Sequence, residues 1–232
     1  MIAPVLRVIA FAGAGLAFAG AGLAFAGAGL AFAGAGLWLT LALVLAADAP
    51  PQSARSAAEI MDILMWNREP VGGPFALTDQ AGHERTDKEF RGKLMLIYFG
   101  FTTCPDVCPT DLQAIALALD KLGRDGGQVQ PIFITVDPER DTAAHLADYV
   151  PMFHPRLIGL TGSGDAIRKL ADAYKVYFAR VPLKDAGDYT VDHTAYIYLM
   201  DREGNYLGFF PPGTSADRMV EIIRPRLAEP VR

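Results

Sequence analysis

The only two cysteines of this 232-residue chain, Cys104 and Cys108, lie in one short segment with three residues between them. All of the redox-active sulfur that the chain possesses is therefore concentrated at one place. A structural disulfide more often joins parts of a chain that are distant in sequence. The spacing therefore favours a redox couple, or part of a metal site, over a structural cross-link.

Each cysteine precedes a proline, Pro105 and Pro109 respectively. Because residues before proline avoid the α conformation, we do not expect the two cysteines to occupy facing positions of a regular helix. We expect a loop that crosses the N-terminus of a helix beginning at Pro109, with Cys108 at or near the cap. This position lowers the pKa of a thiol and favours the thiolate, which attacks disulfides and binds metals.

The pair of thiolates is too small a ligand set for a closed structural zinc site, which takes four ligands. Soft sulfur ligands favour Cu(I), and imidazole suits copper as well. Two cysteines and one histidine could therefore satisfy a copper ion of low coordination number. The chain offers four histidines to complete such a set, at His83, His145, His154 and His193.

His193 is the best of these candidates because we expect it to open a strand over residues 194–200, and sites in α/β sheets gather at strand ends. Asp192 beside it could support the ring. We expect His145 and His154 at the surface and His83 in a hairpin turn. On spacing alone, an ordinary polar residue at the start of a strand stays an open interpretation of His193.

The elements that must position these residues follow an alternating pattern. Residues 94–99 are a continuous apolar run, which predicts a buried strand directly before the cysteine loop. Leu112, Ile115, Leu119 and Leu122 fall on one face of the helix after the loop. With a hairpin at residues 72–82 and later strands and helices, the order β-α-β-α-β-α-β-β-α predicts an α/β domain with a mixed central sheet flanked by helices.

The N-terminal part of the chain has a different character. Residues 8–47 contain no charged residue and carry a seven-residue repeat that begins at Phe11, Phe18, Phe25 and Phe32. The run exceeds the about 20 apolar residues that span a bilayer, so residues 1–47 are predicted to be a membrane anchor. A cleaved signal peptide is the alternative, although its apolar region is normally shorter. Arg7 before the run and Asp48 after it indicate a cytoplasmic N-terminus.

Residues 48–70 are predicted to form a linker and a short helix, in which Ser56 and Glu59 have the spacing of a capping box. Residues 71–232 are predicted to be the globular domain. All 26 acidic residues lie after residue 47, together with every basic residue except Arg7. This acidic balance gives no indication of nucleic-acid binding, which usually needs a basic face.

Three segments of the globular part resemble the Sco/SenC family. They are Phe99-Gly-Phe-Thr-Thr-Cys-Pro-Asp-Val-Cys-Pro109, Val136-Asp-Pro-Glu-Arg-Asp-Thr142 and Tyr189-Thr-Val-Asp-His-Thr194. Shorter landmarks occur at residues 72–75, 160–162 and 174–177, so that the resemblance extends over residues 71–227. Several motifs in one order make the resemblance far more specific than a lone pair of cysteines.

The resemblance implies a thioredoxin-like fold on a membrane tether, with copper bound by Cys104, Cys108 and His193. It also implies a role in maturing the dinuclear copper centre of cytochrome c oxidase. The expected partner is the copper-bearing subunit of that enzyme, which would receive copper, have its cysteines reduced, or both. The implied location is the inner (cytoplasmic) membrane, crossed once, with the soluble domain in the periplasm.

Other functions remain open from the residues themselves. A thiol-disulfide oxidoreductase would cycle Cys104 and Cys108 without obligatory copper, and its activity would depend little on His193. A thiol peroxidase on a related fold would need one reactive cysteine. Loss of copper on changing His193 to alanine distinguishes the copper-binding function from both.

Overall fold

The computed structural model describes residues 56–66, 69–184 and 188–228. The predicted membrane anchor, residues 1–47, and the first part of the predicted linker lie outside these ranges. Within them, no helix is both long enough and apolar enough to cross a membrane. The described chain begins with helix α1 (Ala57–Trp66). The predicted capping box is confirmed, since Glu59 N donates to Ser56 Oγ and Ser56 N donates to the Glu59 carboxylate.

Nine strands and four further α-helices follow within the described residues. The strands are β1 (Ala76–Asp79), β2 (Glu84–Thr86), β3 (Leu94–Gly100), β4 (Val129–Thr135), β5 (Ile158–Thr161), β6 (Phe178–Pro182), β7 (Tyr189–His193), β8 (Ile197–Met200) and β9 (Tyr206–Phe210). The helices are α2 (Val107–Leu122), α3 (Ala143–Tyr149), α4 (Gly164–Ala173) and α5 (Ala216–Leu227).

Seven of these strands form one sheet in the order β2-β1-β5-β4-β3-β8-β9. The three central strands, β3, β4 and β5, are parallel, whereas β1 and β8 run antiparallel to their central neighbours. The predicted mixed sheet with an antiparallel edge is therefore confirmed. Parallel strands end at the same edge of a sheet, so the segments that follow β3 and β4 are brought close together.

Strand β3 lies at the centre of the core. Each of its residues is buried, and Leu96, Ile97 and Phe99 have no exposed surface. A strand buried on both faces needs a continuous apolar sequence rather than an alternating one, which explains the run at residues 94–99. Helices α2 and α5 pack against each other, and the apolar face of α2 is buried at Leu112, Ile115 and Leu119.

The chain directly before residue 197 differs from the prediction, which did not include β6 and β7. Strands β6 and β7 form a separate two-stranded antiparallel ribbon, in which His193 lies opposite Phe178. His193 therefore ends a strand, whereas the sequence analysis placed it at the start of one. The strand predicted over residues 194–200 is present as β8, but it begins only at Ile197 because the chain changes partner before that residue. Thr194 N still donates to Tyr177 O, and only from Ile197 does the chain pair in the central sheet.

Candidate metal centre

The cysteine loop connects β3 to α2. Helix α2 begins at Val107, two residues earlier than predicted, so Cys108 lies in its first turn and Cys104 in the loop before it. The two cysteines thus do not occupy facing positions of a helix, as the prolines indicated. Cys104 is half-buried, whereas Cys108 has no exposed surface. The backbone N–H of Cys108 lies 3.5 Å from Cys104 Sγ, which holds the loop sulfur against the start of the helix.

The imidazole of His193 lies close to both sulfurs. Its Nε2 atom lies 3.5 Å from Cys108 Sγ, although 85 positions separate the two residues in sequence. The ligand atoms of Cys104, Cys108 and His193 all lie within 4.8 Å of one another. In the part of the chain that the structure describes, this is the one group of three or more such side chains with metal-binding geometry.

The ring of His193 is oriented for coordination. Its Nδ1 atom lies 3.1 Å from the carbonyl oxygen of Thr194, and because a carbonyl can only accept, the hydrogen resides on Nδ1. The lone pair of Nε2 then faces the sulfurs. The ring of Phe101 packs edge-on against the imidazole at a centroid distance of 5.6 Å. Asp192 is exposed, so its carboxylate does not hold the ring.

The two sulfurs differ in their protonation. A hydrogen bond from the Cys108 thiol is the main cause that holds the pKa of Cys104 well below the ordinary thiol value, and burial opposes it. The same hydrogen bond and burial raise the pKa of Cys108. Both shifts favour the thiolate at Cys104 over the thiolate at Cys108.

The cysteine loop is fixed by Asp141, which lies next to the start of α3. Asp141 is buried and accepts from Thr102 N at 3.0 Å, Thr102 Oγ1 at 2.6 Å and Thr135 Oγ1 at 2.6 Å. The cap of α3 is instead Thr142, whose side chain accepts from His145 N. Asp141 thus ties the start of the cysteine loop to the end of β4.

A second buried carboxylate in the same turn fixes the ribbon. Asp137 accepts a hydrogen bond of 2.8 Å from the hydroxyl of Tyr189, the first residue of β7. Asp137 also forms an ion pair with Arg140, which donates in turn to the carbonyl oxygen of Tyr189 at 2.8 Å. The turn at residues 137–141 therefore holds both chain segments that supply the side chains of the candidate site.

Gly100 provides the space in which Cys108 lies. A Cβ atom at this position would come within 3.0 Å of Cys108 Sγ, of Phe133 and of Tyr98. A side chain at this position would therefore require Cys108, Phe133 and Tyr98 to shift by a few tenths of an ångström. The spacing of the two cysteines predicted that they act together. The close approach of Gly100 to Cys108 could not be predicted, because nothing local distinguishes this glycine from others.

The remaining histidines lie apart from the sulfurs. His83 is in the predicted hairpin turn, where its side chain is 76% exposed, and His145 is exposed on α3 as expected. His154 was predicted to be a surface residue, but its side chain is only 11% exposed. Burial, with a contribution from Arg156, lowers its pKa.

Comparison with known proteins places the same region in one family. Residues 65–228 match the family described as SCO1/SenC. A curated relative, "Protein SCO2 homolog, mitochondrial" from Bos taurus, is 43% identical over 158 residues, which are 67% of this chain and 59% of the relative. The chain spans between 45% and 62% of the length of the first three mitochondrial relatives that it matches.

Solved structures agree with this match. Arabidopsis thaliana ScoI with copper bound is 42% identical, with a TM-score of 0.64, over 68% of this chain and 98% of that chain. Bradyrhizobium japonicum ScoI with copper bound is 48% identical, with a TM-score of 0.63, over 67% of this chain and 99% of that chain. The mixed sheet flanked by helices is thus the thioredoxin-like arrangement of these proteins.

Proposed function

Because the chain belongs to the SCO1/SenC family, we propose that it is a copper carrier that binds one copper ion through Cys104, Cys108 and His193. The convergence of two sulfurs and one imidazole nitrogen within 4.8 Å, from distant parts of the sequence, is the observation that carries this proposal. Two solved relatives, from A. thaliana and B. japonicum, contain copper. Both align over more than nine tenths of their own length.

The ligand set fits copper better than other common metals. Thiolate sulfur is a soft ligand that favours Cu(I), and imidazole completes a three-coordinate set. A structural zinc ion would require a fourth ligand, and calcium or magnesium would require oxygen ligands. The hydrogen on Nδ1 of His193 leaves Nε2 free to coordinate, and the thiolate character of Cys104 supplies one ligand in its binding form.

We further propose that the recipient is the dinuclear copper centre of cytochrome c oxidase. This proposal rests on the motifs that resemble the Sco/SenC family and on the family match. The uncharged run of residues 8–47 supports a single-pass anchor in the inner membrane, followed by a linker to about residue 70. The copper-binding domain, residues 71–232, would then face the periplasm, where the copper-bearing subunit is accessible.

Copper titration of the soluble domain tests the ligand assignment. Reduced protein is expected to bind one copper ion, whereas protein oxidised to the Cys104–Cys108 disulfide is expected to lose tight binding because it offers no thiolate. His193→Ala is expected to weaken binding, and His145→Ala, which changes an exposed histidine on α3, serves as the matched control. Equal affinity of the reduced and oxidised forms, or of His193→Ala and His145→Ala, would refute the assignment.

The unequal protonation of the two sulfurs favours a second activity, thiol-disulfide exchange with a partner disulfide. The Cys104 thiolate would attack one sulfur of that disulfide, which releases the other sulfur as a thiolate. Cys108 then gives up its proton and attacks Cys104 Sγ, so that the partner leaves with two thiols and this chain keeps a disulfide. Two electrons pass from this chain to the partner.

This activity can be separated from copper carriage. His193→Ala is expected to retain most of the exchange rate while losing copper, because the imidazole is a minor contributor to the protonation of Cys104 compared with Cys108. The rate is measured by stopped-flow reaction with a mixed or peptide disulfide in the presence of a copper chelator. A rate no faster than that of free cysteine would exclude the exchange activity.

A further inference from the structure

Strand β6 has a free edge in the part of the chain that the structure describes. It pairs there with β7 alone, and Thr194 N donates to Tyr177 O at one end of the ribbon. Because bonded and non-bonded pairs alternate along an antiparallel ribbon, the backbone N–H and C=O groups of Phe178 and Arg180 point away from β7. No hydrogen bond between described residues uses these groups. They can therefore pair with a strand from another protein.

A cavity of 520 Å³ lies between this strand and helix α4. Residues 178–180 of β6 line one side, and Ile167 of α4 lines another. Val136, directly after β4, adds to the apolar lining. The volume falls within the range of about 300–1,000 Å³ that is typical of ligand pockets. The cavity is thus large enough to receive an apolar side chain of a partner.

The cavity carries an excess of positive charge. Of the charged side chains that line it, Arg168 and Arg180 are basic and Glu139 is acidic. Arg180 forms an ion pair of 2.7 Å with Glu139, whereas Arg168 has no ion pair with a described residue. The guanidinium of Arg168 lies over the ring of Phe178, at 5.3 Å from the ring centroid, which holds it beside the apolar lining. The cavity therefore favours a ligand that combines an apolar group with a carboxylate.

An extended peptide would satisfy the strand edge and the cavity together. Peptides that add a strand to an open edge bind through main-chain hydrogen bonds, and pockets beside the edge select their side chains. Side chains two positions apart lie on the same face of a strand, so one can enter the cavity while the other reaches Arg168. A small carboxylate would leave the backbone groups of Phe178 and Arg180 unpaired. Pro182 has no N–H group, so the paired segment is short.

We propose that the free edge of β6 and the adjoining cavity dock a partner protein through an extended segment with an apolar and an acidic residue two positions apart. The main chain of this segment pairs with Phe178 and Arg180, and its carboxylate pairs with Arg168. Phe178 lies opposite His193 in the ribbon, so the docked segment lies one strand away from the imidazole. Identifying the partner as the copper recipient rests on the proposed copper-carrier function, whereas the docking site itself does not.

Peptide titration tests the docking site. Two blocked pentapeptides carry the residue pair in either order, Thr-Leu-Thr-Glu-Thr and Thr-Glu-Thr-Leu-Thr. Each is added without copper to the full chain in a neutral maltoside detergent, and NMR spectra are recorded. The methyl signals of Val136 and Ile167 report on the cavity, and the amide signals of Phe178 and Arg180 report on the strand edge. At least one peptide is expected to shift these signals, with a Kd on the order of 1 mM. Its version with Gln in place of Glu should bind about threefold more weakly, as for the loss of one exposed ion pair.

Two pairs of matched variants test which residues form the site. Arg168→Gln should weaken peptide binding about threefold, whereas Lys169→Gln, which removes the neighbouring exposed charge of α4, should not. Gly164→Phe should abolish binding, because Gly164 lines the cavity and a Cβ atom there meets no atom within 4 Å. Gly127→Phe, where a Cβ atom also meets none, is its control. Arg168→Gln alters an exposed side chain, so it decides the question even if Gly164→Phe fails to fold.

The other results have defined meanings. Absence of peptide-dependent shifts at Val136 and Ile167 would overturn the proposal, as would equal weakening by Arg168→Gln and Lys169→Gln. Hexanoate, an apolar carboxylate without a peptide backbone, is titrated in parallel. If it binds as tightly as the pentapeptides, the cavity takes small carboxylates and the docking proposal is wrong. Copper titration of the same protein is independent of these results, so failure of the docking site and failure of the copper-carrier function are distinguishable.

Discussion

Asp141 accepts two hydrogen bonds from Thr102, one from its backbone N–H and one from its hydroxyl, across 39 positions of sequence. A third bond comes from the hydroxyl of Thr135, at the end of the neighbouring strand. The carboxylate has almost no contact with water, because Asp141 is only 1% exposed. One buried anion therefore fixes the position at which the cysteine loop leaves the sheet.

Replacing Asp141 with alanine is expected to lower the free energy of unfolding by about 3 kcal/mol, because buried donors of Thr102 and Thr135 lose their acceptor. Urea unfolding measures the change. Copper affinity should fall as well, since the loop would no longer hold Cys104 in place. Asp148→Ala, at an exposed position of α3, is the control and should change stability by less than about 0.5 kcal/mol.

Tyr189→Phe is expected to weaken copper binding and the fold by similar free energies. The substitution removes the donor to Asp137 and loosens the ribbon that ends at His193, for a loss of about 1 kcal/mol in unfolding free energy. We expect a Cu(I) affinity about fivefold lower, measured by competition with a chromophoric chelator. Tyr177→Phe, at a residue 42% exposed beside β6, provides the control. Unchanged affinity in Tyr189→Phe would mean that the ribbon does not need this contact.

Gly100→Ala is expected to displace Cys108. The added methyl group would meet the sulfur, Phe133 and Tyr98 at 3.0 Å, and such overpacking costs about 1–3 kcal/mol. Thermal melting and copper titration should both show the defect. Gly127→Ala places its methyl group in open space and should have little effect on either measurement. A Gly100→Ala variant that binds copper like wild type would show that the sulfur tolerates displacement.

The two cysteines should differ in their reaction with iodoacetamide. Because the pKa of Cys104 is lowered and the residue is half-buried, Cys104 should be alkylated first, at a rate nearly independent of pH between about 6 and 8. Cys108 is buried and its pKa is raised, so it should react slowly with iodoacetamide. The reaction of Cys108 should also be slow in the Cys104→Ser variant. Peptide mass spectrometry identifies the modified residue. Modification of Cys108 before Cys104 would contradict the assignment of the lower pKa to Cys104.

His154 should contribute to acid sensitivity. Its pKa is lowered in the folded protein by burial and by Arg156, so the unfolded chain binds this proton more readily than the folded one. The contribution of His154 is complete above the unfolded pKa of about 6.5 and is lost as the pH falls towards the folded value. Urea unfolding at pH 7.5 and pH 5 should show a smaller difference for His154→Asn than for wild type. An equal difference would show that other groups cause the acid sensitivity.

Much of the fold follows from local pattern. The apolar run at residues 94–99 predicted β3 because a strand covered on both faces cannot alternate. The spacing of Leu112, Ile115 and Leu119 predicted α2, although the helix starts at Val107 rather than Pro109. The β6–β7 ribbon was missed because its residues alternate only weakly and its partner strand is not determined by local sequence.

The residues of the candidate site could be predicted from the sequence to different extents. Cys104 and Cys108 stand out by type and spacing. His193 was preferred to the other three histidines because it was expected to open a strand, whereas it ends β7, and the resemblance to a family singled it out more strongly. The burial of Asp141 could not be predicted, since acidic residues next to a helix start are ordinarily exposed caps. Its role depends on a donor 39 positions away, which only the folded chain brings near.

The ligands of the candidate centre belong to two parts of the molecule with unequal anchorage. Both sulfurs lie at the junction of β3 and α2, while the imidazole lies at the base of the two-stranded ribbon, outside the seven-stranded sheet. A protein that carries a metal ion must release the ion as well as bind it. Displacement of His193 would open one coordination position to an incoming ligand, and the ribbon that ends at His193 is not paired with any strand of the seven-stranded sheet.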